Sequence, residues 1–281
     1  MEEMPGALPP ILIAHLFPKI ESLLIELLRS LELADWERQT ISPKWKVKDV
    51  AAHLLDTQLR KLSVVRDHYA AEQPVIHSAA DLVAFVDRLN EEGVRLYRRL
   101  SPSVLISLME VASRQSAEFH GSLDPFAPAA FPVSWAGDDT SPNWFDTARE
   151  YTERWHHQQQ IRLAVDRPGI LIRELYHPVL DCFMRALPHA YRKVTAEPDT
   201  LLVVEITGDA GGRWHLHREG GAWRLRDRGI GKLAAHVTIP QEIAWRIFTK
   251  GLDPASASTQ ARFEGDQELG RYILEMKAVV G

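Results

Sequence analysis

With 281 residues, 45% of them hydrophobic and 25% charged, the chain is long enough for two packed domains and too apolar to be disordered along its length. A formal net charge of −5, with no Lys/Arg block, excludes a general attraction to phosphate backbones, so nucleic acid is not an expected partner. The single cysteine, Cys182, excludes an intrachain disulfide and any CxxC motif, which fits a reducing, cytoplasmic setting.

No apolar run approaches the roughly 20 residues that cross a bilayer. Pro9-Pro10, followed by His15, Pro18, Lys19 and Glu21, reads as neither export signal nor anchor. From residue 9 to 35 the apolar positions Leu16, Ile20, Leu23, Leu24, Leu27, Leu28 and Leu31 recur at steps of three and four, which predicts an amphipathic helix. Ser42-Pro43 opens a second helix that runs to about 70 through Val47, Val50, Ala51, Leu54, Leu55 and Leu62. Ser78 caps a third, and Ser101-Pro102 starts a shorter one. Residues 121–143, crowded with Gly and Pro, predict a long loop of the kind that often carries function. A fourth bundle helix runs from Trp144 to Val165 and is stopped by Asp166-Arg167-Pro168-Gly169.

After a helix over about 171–193 the texture changes. Leu201 to Thr207, Arg213 to Arg218, Ala222 to Arg226 and Ala235 to Ile239 alternate with period two, as half-covered antiparallel strands do. Helices near 240–250 and 266–279 complete an α+β region. The expected organisation is therefore an all-α four-helix bundle over 1–169 and a smaller α+β domain over 170–281.

Two segments carry candidate chemistry. His53 stands in the middle of the second helix, where a lone histidine is ordinarily a surface or packed residue. Glu153 and His157 are four apart on the fourth helix, so one face projects a carboxylate and an imidazole toward a common point. The competing reading is a solvated polar stripe, because Asp146, Glu150, Glu153, His157 and Gln160 lie opposite Trp144, Tyr151 and Trp155. His156, three residues from Glu153, is an alternative ligand. Cys182 lies among Val179, Leu180, Phe183, Met184 and Leu187 and reads as core.

The string from Trp45 through Asp49-Val-Ala-Ala-His53 to Asp56, and the later Glu153-Arg-Trp-His156-His157-Gln-Gln-Gln160-Ile-Arg162, resemble the two hallmarks of the mycothiol-dependent maleylpyruvate isomerase family, a branch of the DinB-like four-helix bundles. Arg262-Phe-Glu-Gly265-Asp266 resembles the end of that family's C-terminal domain. The resemblance implies a DinB-like bundle followed by an SCP2-like α+β domain. It also implies a divalent metal, most often zinc, held by His53, Glu153 and His157. Gln158 to Gln160 and Arg162 read either as residues that order these ligands from behind or as ordinary helix surface. The resemblance further implies a low-molecular-weight thiol, mycothiol or an analogue, as co-substrate, and Arg262 facing the site, where it could clamp a carboxylate. Arg60, two turns beyond His53, is a second candidate for that task.

The expected activity is metal-assisted activation of the thiol for isomerisation of, or transfer onto, a small electrophilic molecule, in a cytoplasmic monomer or homodimer. Two other readings keep the metal: a non-catalytic metal-binding or regulatory protein, and a hydrolase using metal-bound hydroxide without a thiol. The loop with Phe131-Pro-Val-Ser-Trp135 and the consecutive histidines set the chain apart from the isomerase proper, so maleylpyruvate is not the expected substrate.

Overall fold

A computed structural model describes residues 6–279. Residues 12–130 and 150–169 form one compact unit, and residues 6–11, 131–149 and 170–279 another. The chain therefore changes unit at 169/170, where the sequence suggests one cut, but also on either side of residues 131–149. Side chains explain the latter. Val133 and Phe145 are buried, Trp135 meets Phe145 edge-on at 5.9 Å, and Arg185 lies over Trp144 at 5.5 Å. The proline-rich loop thus delivers aromatic residues to the sheet unit.

In the helical unit, α1 (Phe17–Arg29) is followed by the short α2 (Leu33–Trp36), then α3 (Val47–Lys61), α4 (Ala79–Tyr97), α5 (Pro102–Ser122) and, from Glu150 onward, α6 (Asn143–Val165), whose first residues belong to the other unit. The expected helix over 9–35 is shorter because Pro18 sits in the first turn of α1, where a missing N–H costs nothing. Ser78 and Ser101 cap α4 and α5 by accepting from Asp81 N and Val104 N. α5 is long, not short, at 21 residues.

One core joins Leu24 and Leu28 of α1, Val50, Ala51 and Leu54 of α3, Leu105, Met109 and Ala112 of α5, and Ile161 and Val165 of α6. Each large side chain buried there stabilises by about 1.5–3 kcal/mol. α4 packs on α3 at a contact so close that a Cβ on Gly93 would lie 2.2 Å from Asp56 Cγ.

The second unit contains α7 (Arg173–Met184), α8 (Leu187–Ala190), β1 (Thr200–Thr207), β2 (Gly212–Glu219), β3 (Ala222–Arg226), β4 (Lys232–Pro240), α9 (Gln241–Phe248), α10 (Pro254–Gln260), β5 (Arg262–Gly265) and α11 (Gln267–Arg271). The strands form one mixed sheet in the order β3-β2-β1-β4-β5. β1 and β4 are parallel and the other pairs antiparallel, which departs from the all-antiparallel expectation. Gly220 and Gly221, both at positive φ, close the β2–β3 hairpin as a two-residue loop requires.

Leu202, Val204, Trp214, Leu216, Trp223, Val237 and Ile239 form the buried face of the sheet. The opposite face carries an ionic ladder. Arg213 pairs with Glu205 at 3.1 Å, His236 with Glu205 at 2.9 Å, and Arg262 with Glu264 at 2.7 Å. The helix expected over 171–193 is divided between α7, α8 and a final turn. The one expected over 266–279 ends at Arg271 and passes into a 3-10 turn over Tyr272–Glu275.

Candidate metal centre

The site begins with the start of α3. Lys46 N donates to Asp49 Oδ2 at 3.1 Å, and Arg98 Nε donates to Asp49 Oδ1 at 2.9 Å. The carboxylate thus answers an orphan N–H and a cation at the helix end where negative charge is favoured. This fixes the first turn at Val47, later than Ser42-Pro43. His53 follows in the second turn. Just before the helix, Thr40 Oγ1 and Gln39 Nε2 donate to Trp45 O at 2.6 and 2.9 Å, holding the residue whose indole lies 4.7 Å from the His53 ring and 5.9 Å from the His157 ring.

α6 supplies the other groups. His157 Nε2 lies 3.4 Å from Glu153 Oε2, and the His53 and His157 rings meet edge-on at 4.6 Å. One ligand atom from each of His53, Glu153 and His157 falls within 4.8 Å of the other two. Donors about 2.1 Å from a tetrahedral ion stand roughly 3.4 Å apart, so these three need only small rotations to share one cation. Both histidines are buried.

The donor chemistry fits a cation as well. His53 Nδ1 is buried with no hydrogen-bond partner among the described residues. Burial, reinforced by the neighbouring charges of His157, Arg60, His156 and Arg154, holds the His53 imidazole well below its usual range, so the ring is neutral and offers a lone pair. Two imidazoles and one carboxylate are the donor set of catalytic zinc sites, which keep a position open.

His156 is also buried, and burial pushes it down to about 3. Its Nδ1 is taken by the Thr152 carbonyl at 3.3 Å, and the convergent group contains His157, not His156. The solvated-stripe reading of α6 does not hold. Asp146, Glu150, His157 and Gln160 are all buried, because other polar groups meet them. Lys61 Nζ lies 3.5 Å from Glu150 Oε1, and Arg162 donates to the carbonyls of Leu23, Arg167 and Pro168.

Arg60 is tied down. Its Nε lies 2.7 Å from Asp56 Oδ2 and its Nη2 donates to Asn90 Oδ1 at 2.6 Å, although its charge still reaches His53. Arg262 belongs to the sheet unit, where its side chain is 75% exposed and paired with Glu264.

Sequence reading missed the polar core behind the site. Arg154 Nε lies 3.1 Å from Glu21 Oε1, Gln58 Nε2 donates to Glu21 at 3.2 Å, and Ser113 Oγ donates to Glu21 Oε2 at 2.8 Å. The available signal was Glu21 itself, a charged residue at the apolar spacing of Phe17, Leu24 and Leu28 in α1.

Two solved structures share this architecture. A histidine-to-alanine mutant of the mycothiol-dependent maleylpyruvate isomerase is 12% identical, with a TM-score of 0.55 over 92% of this chain and 93% of that one. A crystal structure of the mycothiol-dependent maleylpyruvate isomerase is 14% identical, with a TM-score of 0.52 over 85% of this chain and 88% of the other. At such identities the likeness is one of fold. No curated protein matches the chain by sequence. The family model described as the mycothiol maleylpyruvate isomerase N-terminal domain matches residues 17–162, more than half of the sequence and all three convergent donors. The chain belongs to the mycothiol maleylpyruvate isomerase N-terminal domain family.

Proposed function

We propose that this is a cytoplasmic, thiol-dependent metalloenzyme that isomerises, or transfers a thiol onto, a small electrophilic organic molecule. The observation that carries the reading is the approach of His53, Glu153 and His157 within 4.8 Å inside a helical bundle of this family. In this reading the helical unit is a DinB-like bundle and the sheet unit an SCP2-like domain. The co-substrate is mycothiol or a related small thiol, a reading supported by the mycothiol dependence of the two structurally similar isomerases.

His53, Glu153 and His157 would hold one divalent ion, zinc by the donor set. Such an ion, when bound, lowers the pKa of a thiol or water at its open position and polarises a carbonyl. The protein's own contribution is order. Two helices present imidazoles from a buried wall, that of His53 held neutral by its burial, the Glu153 carboxylate offsets one positive charge, and the Trp45 indole lies beside both rings. No cysteine of the chain enters the reaction, since Cys182 is buried in α7. Arg262 and Arg60 are our candidates for an anionic group of the substrate. The freely exposed Arg262 can exchange Glu264 for such a group, whereas Arg60 would first have to leave Asp56 and Asn90.

The test is zinc-loaded protein offered a model electrophile with and without mycothiol, bacillithiol or glutathione. Turnover that requires both zinc and a thiol supports the reading. Absence of turnover with every thiol favours a binding protein, and thiol-independent hydrolysis favours a hydroxide mechanism. His53→Ala and His157→Ala should each lose stoichiometric zinc by elemental analysis. Full occupancy in both variants would remove the metal centre from the reading.

A further inference from the structure

Within the sheet unit, a cavity of about 190 Å³ lies where the proline-rich loop meets α8 and the 3-10 turn over Tyr272–Glu275. Its walls are held from behind. Gly137, at a φ of 90°, sits so close to α8 that an added Cβ would fall 2.3 Å from His189 Nδ1, so the loop is seated on the helix at a position made for glycine. Ser141 Oγ donates to Asp138 Oδ2 at 2.7 Å and accepts from Val133 N at 2.9 Å, and Trp135 rests edge-on against Phe145. The Tyr272 ring meets the buried Tyr191 edge-on at 5.1 Å, and the Tyr191 hydroxyl donates to Leu269 O at 3.0 Å.

Two aromatic side chains, Trp135 and Tyr272, and two cations, Arg192 and Lys277, line the space. Arg192 Nη1 donates to the His189 carbonyl at 2.6 Å, and neither cation is ion-paired among the described residues. His189 adds no third charge at neutral pH, because burial and the charge of Arg192 hold its imidazole below its usual range. Against these stands the carboxylate of Glu275, so the lining keeps a net positive charge and disfavours an amine. Size narrows the ligand further. A cavity of about 150 Å³ takes a benzene ring, whereas pockets for larger organic ligands start at about 300 Å³. The space therefore matches a single ring with one small charged group.

We propose that this cavity binds a one-ring aromatic carboxylate, with the ring against Trp135 and Tyr272 and the carboxylate on Arg192 and Lys277. A guanidinium offers a carboxylate parallel N–H donors and an ammonium adds a point charge. Offset or edge-on contact with two rings selects a planar ligand over an aliphatic one of the same charge. The inference is independent of the metal reading, because every residue it uses belongs to the sheet unit. For a ligand as small as benzoate the expected Kd is on the order of 1 mM.

Benzoate is the probe, and the indole signals of the full chain labelled with 15N-tryptophan are the readout. The Trp135 Nε1–H signal, identified by its loss in Trp135→Phe, should move saturably as benzoate is raised to about 10 mM, tenfold over the expected Kd. The signal of Trp45, beside the candidate metal donors, should stay in place. Cyclohexanecarboxylate keeps the charge without the flat ring, and benzylamine keeps the ring with the opposite charge. Each should bind several-fold more weakly than benzoate. The double variant Arg192→Gln/Lys277→Gln should weaken benzoate by about fivefold, the effect of losing two solvent-facing ion pairs. A Trp135 signal that does not move, benzylamine binding as well as benzoate, or an unchanged benzoate Kd in the double variant would each overturn the inference.

Discussion

Arg154 is almost fully buried, yet its guanidinium lies 3.1 Å from Glu21 and 3.5 Å from Glu150, so its charge is tolerated through partners, not through water. Arg154→Met strands the Glu21 carboxylate, whose pKa burial already raises, and is expected to cost about 3–5 kcal/mol by urea unfolding. The double variant Arg154→Met/Glu21→Met should recover most of that loss, because apolar residues of similar volume replace a costly pair. A second consequence concerns pH. The unfolded chain protonates His156 near 6.5, but the folded chain resists until about 3. The unfolded state therefore binds the extra proton in between, and stability present above pH 6.5 is lost as pH falls through that window, by roughly 1 kcal/mol per unit. Metal-free protein unfolded by guanidinium at pH 7 and pH 5 should show this loss, and His156→Phe should reduce it. The candidate trio was named from the family resemblance, because the Glu-x-x-x-His spacing alone left a solvated stripe and His156 open. The role of Glu21 was not legible, since it depends on partners from neighbouring helices, Arg154, Gln58 and Ser113, which leave no local pattern.

Among the elements, α4 is the one whose fit to α3 leaves no tolerance. Gly93 faces the Asp56 carboxylate, which Arg60 holds in place, so a methyl group there forces either the ion pair or the helix to move. Gly93→Ala should therefore destabilise by about 1–3 kcal/mol despite its higher helix propensity, measured as a lower urea midpoint with an unchanged slope. Helix starts were readable wherever a side chain does the capping, as at Ser78 and Ser101-Pro102. α3 was misplaced by several residues because its cap is Asp49, inside the helix, while Thr40 and Gln39 bind the chain before it. α10 and β5 escaped notice because seven and four residues are too few to show a period. The polar stripe of α6 was misjudged for a different reason. Its partners, Lys61, Glu21 and the Leu23 carbonyl, lie on α1 and α3, and amphipathicity within one helix cannot distinguish water from a buried polar partner.

For the molecule as a whole, the proposed metal reading draws its donors from helices about a hundred residues apart in sequence, so zinc would bind the folded bundle and not the unfolded chain. Zinc at a hundredfold excess over its Kd should raise the unfolding free energy by about 2.7 kcal/mol, and His157→Ala should show no such gain. The change from helical periodicity to alternation near residue 200 was legible because the two periods differ so plainly. The attachment of residues 131–149 to the sheet unit was not, because proline and glycine announce a loop without saying what its aromatic residues pack against. Cys182, fully buried in the core of the sheet unit, has a practical corollary. A thiol reagent added to the native protein encounters only small-molecule thiols brought by the solution, so their consumption can be titrated without background from the polypeptide. Upon unfolding, one equivalent of protein thiol becomes reactive, and the rate of its appearance times the opening of that core.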